Sequence, residues 1–258
     1  MTNSIGQNWL LLRGLARESA HWGSFIEQLQ LSFPNATINV LDLPGTGRFN
    51  NEASPKTIKE ITEITRQRAI DNNYLQEPIT LLAVSLGAMV AWEWMYQYSN
   101  EIRGSILINT SFANLSPFYQ RLRWQTYHQV IKLLSQKDIT RRERAILELV
   151  SNTPDIANKI GHDWADIQNQ HPISFSNAFR QIAAAANYRP SDTKPKPPVL
   201  LLNSKTDRLV SPTCSEKIQQ KYQLELKRQD WAGHDLTLDD PEWVTRQLKD
   251  WVKNHNAN

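Results

Sequence analysis

Short apolar runs alternate with stretches of helical periodicity along most of this chain, and that alternation leaves few folds open. Trp9-Leu10-Leu11-Leu12 is too short for a helix and is stopped by Gly14, so it reads as a strand covered on both faces. A helix follows from about Ala20, with Trp22, Phe25, Ile26, Leu29 and Phe33 on one side, and Pro34-Asn35 ends it. Thr37 to Leu43 is the next strand, closed by the turn Pro44-Gly45-Thr46-Gly47. Ser54-Pro55 opens a second helix through Ile58, Ile61, Ile64 and Ala69. Strands at Ile79–Val84 and Gly104–Asn109 flank a third. Strands joined through helices need crossover connections, which give a parallel sheet with helices on both sides. Six strands are readable in all.

The rhythm breaks after Ser111. From Phe112 to Pro190 there are helical patterns and no convincing strand: Tyr127, Val130 and Ile131; then Ile146, Leu147, Leu149 and Val150; then Phe175, Ala178, Phe179 and Ile182. Thr153-Pro154 and His171-Pro172 separate them. The proline-bearing linker Ser191–Pro198 leads back to a strand at Val199–Asn203, a helix from Pro212, a strand at Leu224–Arg228 and a last helix from Pro241. The expected organisation is an α/β core of residues 1–111 and 191–258, carrying an all-helical insertion of residues 112–190.

Composition removes several functional classes. The net charge is +3, and the densest basic run, Arg141-Arg142-Glu143-Arg144, already contains an acid. It reads as a solvated helix face, so no nucleic-acid partner is expected. No run approaches the roughly 18 apolar residues of a membrane span. One cysteine, Cys214, excludes an intramolecular disulfide and fits a reducing compartment. The stretch Met1–Asn8 lacks the regions of a signal peptide. A cytoplasmic location is the expectation.

The chemistry centres on Ser85. An apolar strand climbs to it, a helical pattern leaves it, and the residues two places either side are Ala83 and Gly87. A strand–turn–helix apex forces an unfavourable backbone angle and leaves no room for bulk two residues away. Its use is to present a hydroxyl beside the amide N–H groups of a helix start. A serine needs a base, and the base needs an orienting group. Of six histidines, His234 alone follows a strand on a loop, in Trp231-Ala232-Gly233-His234-Asp235. In a parallel sheet such loops gather on one edge. Asp207, in the loop after Val199–Asn203, is the favoured orienter. Asp42, Asp230 and Asp235 are rivals, and a helix-capping turn aspartate is the plain alternative.

Ser85, Asp207 and His234, in that chain order and each at a separate strand end, resemble the α/β-hydrolase family. The likeness runs over essentially the whole chain. It includes Ala83-Val84-Ser85-Leu86-Gly87, Asp207-Arg208-Leu209-Val210-Ser211-Pro212, Gly233-His234 and the turn Asp42–Gly47. In plan the chain is similar to small bacterial carboxylesterases with a helical cap, and the insertion matches that cap in position and size. The resemblance implies catalytic Ser85, Asp207 and His234, with an oxyanion hole formed by the Leu15 and Leu86 amides. Two departures stand out. Arg13-Gly14 replaces the usual His-Gly, and Ala83 takes a place more often held by glycine. Arg13 is either a packing substitute with an ion-pair partner or a contact to an acidic substrate group.

The implied reaction is hydrolysis of a carboxyl ester through an acyl-enzyme on Ser85, with no metal or cofactor. The expected partner is a small-molecule ester bearing an apolar acyl or aromatic group. Phe112, Phe118, Tyr119 and Trp124 are pocket candidates, set against the plainer reading that they form the core of the insertion. Carbon–carbon bond hydrolysis or lyase chemistry on the same residues, and a non-catalytic binding protein on the same fold, remain as alternatives.

Overall fold

The computed structural model describes residues 4–256, apart from the side chains of 134 and 135; the extreme N-terminal residues of the stretch Met1–Asn8 and the last two residues lie outside it. Six strands form one all-parallel sheet: β1 (Asn8–Leu12), β2 (Thr37–Leu41), β3 (Ile79–Val84), β4 (Ile102–Ile108), β5 (Val199–Ser204) and β6 (Glu225–Gln229). Their spatial order is β2-β1-β3-β4-β5-β6. The order reverses between β1 and β3, and the crevice past the strand ends at such a reversal is where ligands bind in open α/β sheets. Gly14 follows β1 and Ser85 follows β3, so the reversal falls between the two loops of interest.

Strand periodicity explains how the sheet is covered. Leu10, Leu12, Leu81, Ala83, Leu107 and Leu201 point to one face, against α2 (Ile58–Asp71), α3 (Leu86–Gln97) and a later helix. Trp9, Leu11, Leu82, Val84, Ile106, Ile108, Leu200 and Leu202 point to the other, against α1 (Phe25–Ser32) and the C-terminal helix. Both faces are apolar because both are buried, which is why the strands read as runs rather than alternations. Helix α3 is buried along most of its length, from Leu86 through Met95. An all-round apolar helix of this kind belongs in an interior.

The insertion between β4 and β5 holds α4 (Phe118–Arg121), α5 (Tyr127–Ser135), α6 (Ile139–Val150), α7 (Ile156–Gln170) and α8 (Phe175–Asn187). Helices α6 and α7 pack around Leu147, Ala157 and Trp164. Asp138 and Ser174 cap α6 and α8, accepting from Arg141 N and Asn177 N at 3.0 Å each. The chain closes with α9 (Thr213–Tyr222), α10 (Leu236–Asp239) and α11 (Pro241–Asn256).

Three local expectations are corrected. The second helix starts at Ile58, not at Ser54-Pro55, because the Thr57 hydroxyl caps it by accepting from Glu60 N. The first helical segment is split into a short 3₁₀ turn, Ser19–Trp22, and α1, with Gly23 at φ 50° between them. The short helix α10 was not anticipated. Its four residues lie directly after the His234 loop.

Candidate active site

Ser85 sits at φ 54°, ψ −112°, a left-handed conformation that costs a non-glycine residue about 1–3 kcal/mol. The surroundings hold it there. Its N–H donates to Ile108 O at 2.8 Å, and its carbonyl accepts from Ala88 N and from the Thr110 hydroxyl. A Cβ on Gly87 would lie 2.5 Å from Arg13 O and 2.7 Å from Leu12 O, so the helix start can approach β1 only without a side chain. A Cβ on Gly14 would lie 3.2 Å from the Ser85 Cβ, which places the Gly14–Leu15 loop directly against the serine. Among the described residues the Ser85 hydroxyl makes no hydrogen bond, and the Leu15 and Leu86 amides donate none. All three residues line one cavity.

His234 Nδ1 lies 2.7 Å from Asp207 Oδ2, with both side chains buried. The other Asp207 oxygen accepts from Leu209 N at 2.8 Å and Val210 N at 2.9 Å, which fixes the carboxylate plane. The His234 ring lines the same cavity as Ser85. Burial pushes the imidazole's proton affinity down. The charge and hydrogen bond of Asp207, helped by the Asp235 charge, outweigh burial and the opposing Arg13, and the ring titrates above its ordinary value.

The rival acids have other duties. Asp42 binds Ser19 N and Oγ through one oxygen, at 2.7 and 2.6 Å, and Arg48 N through the other, so it orders the loop after β2. Asp230 is exposed and pairs with Lys205. Asp235 grips Arg13: Arg13 Nη2 donates to Oδ2, and Nη1 donates to Oδ1 at 3.3 Å. Arg13 is therefore paired and buried, its guanidinium 4.8 Å from the centre of the Trp22 ring, while still lining the cavity.

Two residues that sequence reasoning passed over hold the His234 loop. Asn109, at φ 47°, donates to His234 O at 2.8 Å and accepts from Ser204 N at 2.9 Å, tying the ends of β4 and β5 to that loop. Buried Asp239, on α10, accepts from Gly233 N at 2.6 Å, Asn152 N at 2.9 Å, the Thr153 hydroxyl at 2.8 Å and the Ser151 hydroxyl. The only signal for Asn109 was an asparagine at a strand end, a residue tolerant of positive φ. Nothing local distinguished Asp239 from Asp240.

The cavity has a volume of about 290 Å³ and runs from Ser85 under the insertion. Its far wall is aliphatic, including Leu133, Ile146, Leu149 and Ile182. Three arginines reach its lining, and two of them are paired with acids. Arg13 is paired with Asp235 and Arg17 with Glu143 at 2.7 Å, while Arg121 donates to Ala185 O, Ala186 O and Ser111 Oγ. Of the aromatic candidates, Phe118 lines the cavity. Phe112 does not: it is fully buried among Trp92, Tyr188 and Tyr222 in the core on one face of the sheet. Trp124 and Tyr119 are exposed and stand outside the cavity lining. Among the described residues no group of three or more His, Cys, Asp or Glu is arranged to hold a metal, and no helix is long and apolar enough to cross a membrane.

The sequence pattern of an alpha/beta hydrolase family, Abhydrolase_6, matches residues 9–247. The chain belongs to the alpha/beta hydrolase family. Solved structures agree in fold. A thermophilic esterase from Thermogutta terrifontis superposes with a TM-score of 0.72 at 19% identity, covering 98% of this chain and 92% of that one. An esterase from Rhodococcus sp. ECU1013 gives 0.74 at 15% identity, covering 96% and 90%. A lipase-esterase related protein from Clostridium acetobutylicum ATCC 824 gives 0.73 at 16% identity, covering 95% and 94%. Among curated proteins none matches this sequence. At these identities the likeness to the three bacterial structures is one of fold; within the family, chemistry is set by the site.

Proposed function

We propose that this hydrolase-family member is a serine esterase, cleaving a small carboxyl ester through an acyl-enzyme on Ser85. The observation that carries the reading is the 2.7 Å contact between His234 and Asp207 on the wall of the cavity that Ser85 enters. With Nδ1–H donated to Asp207, the imidazole is held in the tautomer whose Nε2 is free to take a proton. His234 takes the Ser85 proton as Oγ attacks the ester carbonyl. The Leu15 and Leu86 N–H groups receive the oxyanion, each such donor being worth about 3 kcal/mol in the transition state. Collapse expels the alcohol with the proton from His234. Water, deprotonated by the same ring, then releases the acid and restores Ser85.

Residues 112–190 act in this reading as a cap over the site. Since the far wall is aliphatic and Arg13 and Arg17 are already paired with acids, a charged group lying against that wall would lose hydration without gaining a partner. This favours an ester with an apolar acyl or aromatic group. The esterases and the lipase-esterase related protein among the structural neighbours lend further support.

The test is labelling by a fluorophosphonate probe together with turnover of short p-nitrophenyl esters. Both are expected for the natural chain and neither for Ser85→Ala. Labelling that persists in Ser85→Ala removes the assignment. Turnover of diketones without turnover of esters replaces it with carbon–carbon bond hydrolysis.

A further inference from the structure

Two loops from opposite ends of the sequence are fastened together beside Ser85. Arg13 lies two residues before Leu15, and Asp235 directly follows His234. The guanidinium engages both oxygens of Asp235, and the Thr237 hydroxyl donates to Oδ1 at 2.9 Å. Asp235 N–H donates to Val150 O at 2.8 Å, at the end of α6. Each charged side chain is only 4% exposed.

Such a pair is a poor source of stability. Desolvating two ions roughly cancels their attraction, and hydrocarbon of similar volume does as well or better. What a two-point Arg–carboxylate contact supplies is fixed geometry. Here the geometry joins the loop bearing one amide at the serine to the loop bearing the imidazole. We propose that Arg13 and Asp235 are positioning residues: the pair holds the Leu15 N–H in register with His234 and places two opposed charges beside the ring. This rests on the esterase reading for its catalytic consequence, but not for its electrostatic one.

The charges around His234 come from every side. Asp207 faces it from the loop after β5, Arg13 from the loop after β1 and Asp235 from its own loop. Asp239 on α10 holds the preceding Gly233 N–H, and Arg123 Nη1 donates to the Asp207 carbonyl at 2.6 Å. His21, near Arg13, is kept neutral by burial and by the charges of Arg17 and Arg13. Within this set Asp235 favours the protonated ring and Arg13 opposes it. Removing either one must therefore move the His234 titration in opposite directions. A simple strut gives lower activity with no such opposition.

The experiment follows the His234 ring by NMR titration, and in parallel the pH profile of kcat/KM on p-nitrophenyl acetate. Asp235→Asn is expected to lower the midpoint by about one unit, and Arg13→Gln to raise it. Arg13→Lys keeps the charge but not the two-point contact, so the midpoint stays near that of the natural chain while kcat falls. The double variant Arg13→Gln/Asp235→Asn leaves no unpaired buried ion, and its midpoint returns toward the natural value with kcat still low. It carries the test if a single variant does not fold. Shifts in the same direction, or no shift in either single variant, overturn the proposal. The NMR midpoints decide it even if no ester is turned over, so its failure is distinct from failure of the esterase reading.

Discussion

The cavity has two walls built on different principles. The core wall carries the polar groups: Ser85 and His234 line it at the ends of β3 and β6, the Ser85 N–H bound to Ile108 O and the His234 carbonyl to Asn109, and Asp207 stands behind the imidazole. The insertion wall is largely aliphatic and comes from side chains of α5, α6 and α8, joined by Phe118 and Arg121 of α4 and Trp164 of α7. In the proposed esterase the placement of single atoms matters on the core wall, because a proton and a developing oxyanion have strict distance requirements. On the insertion wall shape and apolar character dominate. Change on the first wall should abolish chemistry, and change on the second should adjust which molecule enters.

The sharpest test of that contrast is Asp207→Asn, which keeps the shape and loses the orienting charge. It is expected to lower kcat by about 10³–10⁴-fold with little change in fold, read by steady-state kinetics beside circular dichroism. A loss under tenfold would mean that the core wall is not where the chemistry sits. Next is Glu143→Ala in α6. It strands Arg17 in a buried position and should cost about 3 kcal/mol in denaturant unfolding. Third, Gly87→Ala pushes a methyl group toward Arg13 O and Leu12 O. A cost of about 1–3 kcal/mol is expected, with lowered activity, since the strain falls next to Ser85. Fourth, Ile182→Ala should alter the kcat/KM ratio of p-nitrophenyl octanoate to acetate by no more than about tenfold. A collapse of activity on both esters would break the division between the walls.

The pH dependence is the mildest effect and has two signs. As the base of the proposed esterase, His234 must be neutral, so kcat/KM should fall on acidification with a midpoint above 6.5. For stability the order is reversed. A ring that binds its proton more tightly in the fold contributes fully below the unfolded value near 6.5, and the contribution is lost as pH rises through the folded value. Asp235 behaves oppositely. Although burial pushes it up, Arg13 and Thr237 hold its carboxyl below 3.8; its contribution is present above that value and lost as pH falls through the folded one. Thermal unfolding followed from the acid range through neutrality into mild alkali checks both slopes.

The same contrast explains what could be read from the sequence. The elements of the core wall are local: an apolar run, a small-flanked serine and a Gly-His each carry their own conformational logic. The sheet, the parallel sense and the relative order of Ser85, Asp207 and His234 therefore followed from short stretches. The insertion wall is tertiary. Phe112 and Phe118 are six residues apart and equally aromatic, yet one fills the core and the other faces the cavity, because the chain turns between them at residues 113–116, where Leu115 N and Ser116 N donate to Phe112 O. The partner of Arg13 was illegible for a similar reason: the Arg13–Asp235 contact joins β1 to the region before α10, and nothing near either residue names the other.

Asp239 has a consequence for anyone who would retool this protein. One carboxylate binds Ser151, Asn152 and Thr153 at the exit from α6 and also Gly233, next to the imidazole. The insertion is thus not a detachable module. A chimera that swaps helices to change the cavity lining but replaces residues 151–153 would cut the His234 loop loose. The safer crossover leaves that tripeptide with the recipient, so that the exchanged part brings its pocket and the recipient keeps its His234 loop in place.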